Sequence, residues 1–172
     1  GMGGVGKTTL AKALYNKIAY QFDGHSFLTN IREASEIFNG IVQLQEKLLY
    51  EILVVDLKVG NVDKGINIVR DRRCSKKVLI VLDDVDRLDQ LEALVGGRDW
   101  FGQGSKIIVT TRNKHLLVNH PFDQLYLVQE LDLNKSLELF SWHAFKKTHP
   151  SSDYFDLSRL AICYCKGLPL AL

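Results

Sequence analysis

The sequence predicts an α/β fold in which a parallel sheet is flanked by helices and followed by the start of a smaller helical unit. Three observations predict it. Continuously apolar, β-rich runs such as "VLIVL" alternate with amphipathic stretches of period 3.6. A glycine-rich turn, "GMGGVGKTT", opens straight into a helical stripe. Beyond Asn134, two helical patterns follow each other with no strand between them. With 172 residues, 46% hydrophobic and 24% charged, the chain has the composition of a globular protein with a sizeable core.

Taken in order, Leu10, Ala11, Leu14 and Ile18 form the first helical stripe, and "HSFLTNI" reads as a short strand centred on Phe27 and Leu28. Ile41, Leu44, Leu48, Leu49 and Ile52 define a second amphipathic helix. A third is expected to be capped by Asp63 and to run toward Arg73, with Ile66 and Val69 on one face. Val78–Leu82 is the clearest strand, apolar at every position as in a strand covered on both faces. Leu88, Leu91 and Leu94 give a short helix, "GSKIIVTTR" a second buried strand over Lys106–Thr110, and "QLYLV" a last strand. Leu137, Phe140, Ala144 and Phe145 make one further stripe, and Leu157, Leu160, Ala161 and Tyr164 another, with His149–Ser152 as the turn between them. The expected division is 1–129 for the sheet-containing part and 130–172 for the start of the helical part.

Composition narrows the partners. Twenty-two basic against 20 acidic side chains leave a net charge of +2, which gives no reason to expect direct nucleic-acid binding. No apolar run approaches the roughly 18 residues of a membrane span, and no secretory signal pattern is present. Cys74, Cys163 and Cys165 show neither a CxxC pair nor metal-ligand spacing. They are expected to be buried small hydrophobes in a reducing cytoplasmic or nuclear compartment.

The chemistry concentrates at the glycine-rich turn. Gly1, Gly6, Lys7 and Thr8 satisfy G-x-x-x-x-G-K-[ST]. In such a P-loop, glycines let successive backbone N–H groups converge on phosphate oxygens, and the lysine adds a point charge to the β- and γ-phosphates. The threonine hydroxyl ligates Mg²⁺, and the helix presents its positive end to the same anion. A glycine turn that merely opens a helix is the ordinary alternative. The acidic complement is "VLIVLDDVD": Asp83 is placed to hold Mg²⁺ through water, and Asp84 to orient or deprotonate an attacking water. An Asp pair capping the following turn is the alternative here. Arg112, after "IIVTT", stands at the carboxyl end of a second strand, either as a γ-phosphate sensor or as a solvated surface arginine.

Guanine-specific proteins are excluded by the absence of N-K-x-D. Asn113-Lys114 continues as His115-Leu116, and Asn134-Lys135 as Ser136-Leu137. The D-x-x-G at Asp99–Gly102 does not follow an apolar strand.

"GMGGVGKTTLAKALYNK", "FLTNIRE", "KKVLIVLDDVD", "GSKIIVTTRN", "YLVQELDLNKSLELFSWHAF" and "CKGLPLAL" resemble, in order and spacing, the NB-ARC domain of plant disease-resistance proteins. Asp86 closing "LDDVD", together with "FLTNIRE", resembles the branch that carries an N-terminal Toll/interleukin-1-receptor (TIR) domain. The resemblance implies a P-loop NTPase sheet whose first strand precedes Gly1, and helical parts beyond Leu172. It implies a signal-transduction ATPase of plant innate immunity, a switch resting with ADP and exchanging it for ATP, a weak ATP hydrolase at most. A P-loop ATPase or kinase with genuine turnover is the rival. By the resemblance, Gly3, Gly4, Gly6, Lys7, Thr8 and Thr9 carry the phosphates, and Thr8 and Asp83 the Mg²⁺. Asp84 serves the hydrolytic water, Arg112 senses the γ-phosphate, and Pro169 packs on the adenine side. The implied partners are TIR and leucine-rich-repeat domains, with homo-oligomerisation on activation.

Overall fold

The computed structural model describes residues 2–71, 76–119 and 122–172. Gly1, Arg73 and Cys74, all singled out in the sequence, lie outside the described residues. The chain divides into two compact units. Thr8–Gln124 forms one, and the segment up to Lys7 together with Leu125–Leu172 forms the other.

The first unit is built on a three-stranded parallel sheet of β1 (Gly24–Leu28), β2 (Val78–Leu82) and β3 (Lys106–Val109), in the order β1-β2-β3. The register pairs Leu28 with Leu82 and Leu82 with Val109, so all three strands end level. β2 is central and fully buried on both faces, which is why its sequence is apolar at every position. β3 is the departure: expected to be a buried strand reaching Thr110, it is half-exposed, with Ile107 open to solvent. Among the described residues it pairs only with β2, and a strand paired on one side buries less of each side chain.

Helices α1 (Lys7–Ile18), α2 (Ile31–Glu36), α3 (Gly40–Leu53), α4 (Val62–Asp71), α5 (Leu88–Val95) and α6 (Lys114–Asn119) accompany the sheet. α3 is apolar on two sides for a reason. Leu44, Leu48 and Ile52 join Leu28, Ile80, Leu82 and Leu94 in the main core. Val42 and Leu49 meet Val59, Val69 and Trp100 in a second cluster. Two expectations need correction. In α1 the buried side chain is Ala11, while Leu10 and Leu14 are exposed, so the stripe marks the helix but not its buried face. α4 is capped by Asn61, whose side chain accepts from the Lys64 N–H at 2.9 Å, and Asp63 lies inside the first turn.

The second unit holds α7 (Leu133–Phe145) and α8 (Phe155–Cys165). In α7 the stripe lies on the covered side, with Leu137, Phe140 and Phe145 half-buried beside the buried serines, but in α8 the stripe misses the buried face. The buried positions are Ser136 and Ser141 in α7 and Ser158 and Ile162 in α8, whereas Leu157, Leu160 and Tyr164 are exposed. Small side chains let two helix backbones approach closely, and the larger apolar groups then point away. "QLYLV" carries strand-like side chains but forms no strand among the described residues. It has no ladder partner, and Leu125, Tyr126 and Leu127 are exposed. Cys163 is exposed and Cys165 half-buried, its thiol donating to the Ala171 carbonyl at 2.9 Å, so neither is a buried hydrophobe.

Candidate functional site

Level strand ends gather the chemistry of the sheet unit. In a parallel sheet, the carboxyl ends of the strands are where ligands are met. Asp83 and Thr110 each follow directly on a strand, and Asp84 comes one residue later. The Asp83 N–H donates to the Leu28 carbonyl and its own carbonyl accepts from the Ile31 N–H, both at 2.9 Å. Its backbone is therefore fastened to β1 and α2.

The Asp83 side chain is almost wholly buried, and its Oδ1 accepts from two hydroxyls, Thr8 at 2.8 Å and Thr110 at 2.7 Å. Thr8 lies 75 positions away in the chain, and α1 brings it there. Two charge-assisted bonds justify burying this carboxylate. Thr110 serves twice, because the same hydroxyl oxygen accepts from the Asp84 N–H at 2.9 Å. The donor set suits Mg²⁺: one hydroxyl and one carboxylate are all-oxygen and few, and Mg²⁺ completes its shell with water and phosphate. Among the described residues no cluster of three His, Cys, Asp or Glu competes as a metal site.

Asp84 adopts φ +58°, in the left-handed region that costs a non-glycine residue about 1–2 kcal/mol. Four contacts hold it there. Besides the Thr110 hydroxyl on its N–H, its carbonyl accepts from the Arg32 N–H at 3.2 Å. Its carboxylate, 16% exposed, takes Arg32 on Oδ2 at 3.3 Å and Arg112 on Oδ1 at 3.1 Å. Arg112 is thus an ion-pair partner of Asp84 and not an unattached surface arginine. Asn113 beside it donates to the Asp86 carbonyl at 2.9 Å.

The glycine-rich loop belongs to the other unit. Gly4 and Gly6 take φ +78° and +94°, the conformations that a loop aiming N–H groups inward requires. The Lys7 ammonium donates to the Met2 carbonyl at 2.7 Å. Thr9 is exposed in the first turn of α1, and Gly3 is half-buried. The loop is backed by the "GLPL" segment: the Leu170 N–H donates to the Gly4 carbonyl at 3.2 Å, and a Cβ on Gly4 would stand 2.8 Å from the Leu170 Cβ. Pro169 opens the short 3-10 turn that carries Leu170, and so sits beside the loop.

Read as an ordered whole, these features match a known domain: the model of the NB-ARC domain matches residues 1–150. The chain belongs to the NB-ARC family. NB-ARC is a nucleotide-binding domain, and ADP or ATP is the ligand this loop suits. The chain is 47% identical to "Disease resistance protein RPV1" of Vitis rotundifolia, over all of this chain and 12% of that protein. It is 46% identical to "TMV resistance protein N" of Nicotiana glutinosa, over all of this chain and 15% of that protein. With "Disease resistance protein RPP2B" of Arabidopsis thaliana the identity is 38%, over all of this chain and 14% of that protein. The chain therefore spans about an eighth of the length of the curated relatives it matches.

Four residues of this NB-ARC chain escaped the sequence reading: Thr110, Arg32, Leu170 and Gln90. Thr110 was within reach, since a hydroxyl at the end of the strand beside the one ending in Asp83 must face it once the register is known. Arg32 was quoted within "FLTNIRE" with no role, and only the alignment of Leu28 with Leu82 brings it to Asp84. Gln90, buried in α5, accepts from the Asp86 and Arg87 N–H groups and donates to Ser35 Oγ and Asp86 Oδ1. It ties the loop after β2 to α2.

Proposed function

We propose that this NB-ARC chain is an ADP/ATP-dependent switch of plant innate immunity, resting with ADP and hydrolysing ATP slowly. The observation that carries the reading is the occupation of Asp84, whose Oδ1 accepts from Arg112 while its Oδ2 forms an ion pair with Arg32. A general base needs a lone pair aimed at its water. A carboxylate engaged on both oxygens is poorly placed to act as one, which favours retention of nucleotide over rapid turnover.

Each residue takes a role on this reading. Gly3, Gly4, Gly6, Lys7, Thr8 and Thr9, with Gly1, carry the phosphates. Lys7 supplies the charge, and the glycines supply backbone N–H groups. Thr8 and Asp83 hold Mg²⁺, the threonine directly and the carboxylate through water; the ion when bound neutralises charge between β- and γ-phosphate. Asp84 orients the hydrolytic water, Arg112 senses the γ-phosphate, and Pro169 lies on the adenine side. Residues 1–129 form the nucleotide-binding subdomain and 130–172 begin the helical one. Asp86 and "FLTNIRE" favour the TIR branch, and hence TIR and leucine-rich-repeat domains as partners, oligomerisation on activation and a cytoplasmic or nuclear setting.

Denaturing the purified protein and identifying the released nucleotide by chromatography tests the reading. Near-stoichiometric ADP is expected. An empty site with fast ATP turnover would replace the switch with an ordinary P-loop ATPase or kinase.

A further inference from the structure

The geometry points to Arg32 as a positioning residue that sets how readily the site accepts a γ-phosphate. The inference rests on the proposed role of Arg112 as the γ-phosphate sensor. In the structure Arg112 is not waiting for a phosphate: its Nε is on Asp84 Oδ1 at 3.1 Å. To meet a γ-phosphate it must let go of that carboxylate.

What the release costs depends on what Asp84 keeps. Its side chain is only 16% exposed, and a largely buried carboxylate left without a counter-ion is expensive. Arg32 prevents that outcome, because its terminal nitrogen stays on Oδ2 at 3.3 Å while Oδ1 gives up Arg112. The Arg32 backbone N–H, donating to the Asp84 carbonyl, keeps the guanidinium in reach. Arg32 also lies 3.7 Å from the exposed Glu33 carboxylate, a weak competitor. Arg32 thus acts through Asp84. It lets one Asp84 serve two arginines and lets the second leave. Without it, Asp84 would hold Arg112 harder, and the triphosphate state would lose while the diphosphate state would not.

The test is a comparison of affinities for ADP and for a non-hydrolysable β,γ-imido ATP analogue, with Mg²⁺, on the intact protein carrying this domain. Arg32→Ala should lower the preference for the analogue about fivefold to tenfold at unchanged ADP affinity. Arg32→Lys should restore part of it. Asp84→Asn introduced into the Arg32→Ala protein should restore it fully, since no carboxylate then remains to hold Arg112. Asp84→Asn alone should raise the preference, and this arm stands even where Arg32→Ala fails to fold. Asparagine is the choice because it tolerates the left-handed backbone of Asp84. Equal losses for both nucleotides, or no rescue by Asp84→Asn, would reduce Arg32 to a structural residue and overturn the inference. An unchanged preference in Arg32→Ala beside a lost preference in Arg112→Ala would overturn it while leaving the switch intact. An unchanged preference in Arg112→Ala would bring down the sensor reading itself.

Discussion

The sheet unit and the helical unit solve the same problem in different ways. In the sheet unit β2 is buried at every position, and its large apolar side chains join those of α3 and α5 in one core. In the helical unit α7 and α8 bury mainly serines, while Trp142, Leu157, Leu160 and Tyr164 face outward. Apolar continuity in the central strand therefore means burial, whereas an apolar stripe on a helix, as in α1 or α8, marks the helix and not its buried face. Sheet geometry explains the difference: a central strand has neighbours on both edges and cover on both faces, so its side chains have nowhere else to go. A helix in a two-helix unit has one covered face, and small residues can win it.

The largest effect should come from that contrast itself. Ile80→Ala, in the centre of β2 and fully buried, should cost about 2–5 kcal/mol. Leu160→Ala, at 59% exposure, should stay within about 0.5 kcal/mol. Chemical denaturation of each variant checks both, and equal losses would erase the distinction between the units.

Function offers the next test. Lys7→Ala should weaken ADP binding at least a hundredfold, roughly 3 kcal/mol, because the phosphates lose their principal cation. The unliganded stability of the sheet unit should hardly move. Titration with a fluorescent ADP measures the first and denaturation the second. An unchanged affinity would remove the loop from the site.

Buried polar groups separate the units again. Gln90→Leu would strip the Asp86 and Arg87 N–H groups of their acceptor and should cost about 1–3 kcal/mol. Ser141 is also buried, but its hydroxyl has no partner, so Ser141→Ala should be neutral or slightly stabilising. The opposite signs, read as shifts in denaturation midpoint, would show that Gln90 is tied into its surroundings by its hydrogen bonds whereas the Ser141 hydroxyl is incidental. A loss on Ser141→Ala would mean that a bridging water satisfies that hydroxyl.

These residues also mark how far the sequence could be read. Val78–Leu82 and the glycine-rich loop were legible because each follows from a rule that acts locally: apolar continuity in one case, a fixed spacing of glycine, lysine and threonine in the other. Arg32 and Gln90 were not. An arginine in a six-residue helix and a glutamine inside an amphipathic one carry no local signature; their roles exist only once the strands are in register. "QLYLV" failed for a related reason. Strand propensity is a property of the segment, whereas a strand is a property of a pair. In α8 the stripe of Leu157, Leu160 and Tyr164 missed the buried Ser158 and Ile162, because periodicity ranks side chains by apolarity and close helix packing ranks them by size.

The smallest effect lies where the helical unit rests on a polar contact at a helix end. Asp132 caps α7, its Oδ1 accepting from the Lys135 N–H at 2.8 Å, with the Lys135 ammonium 3.4 Å from Oδ2. The backbone bond first, and then the lysine's side chain and charge, hold this carboxyl below the usual carboxylate range in the folded chain. A carboxyl depressed by folding stabilises above its unfolded pKa, and the contribution fades as pH falls through the folded value. Asp132→Ala should therefore unfold slightly earlier than the parent at neutral pH, and the gap should close only on acidification below the ordinary carboxylate range. Paired thermal melts across that range measure it. A gap unaffected by acid would assign the effect to helix propensity at the position rather than to the charged cap. A closing gap would mean that α7, with little apolar burial of its own, owes part of its start to one solvent-exposed charge, a dependence that the fully buried β2 does not share.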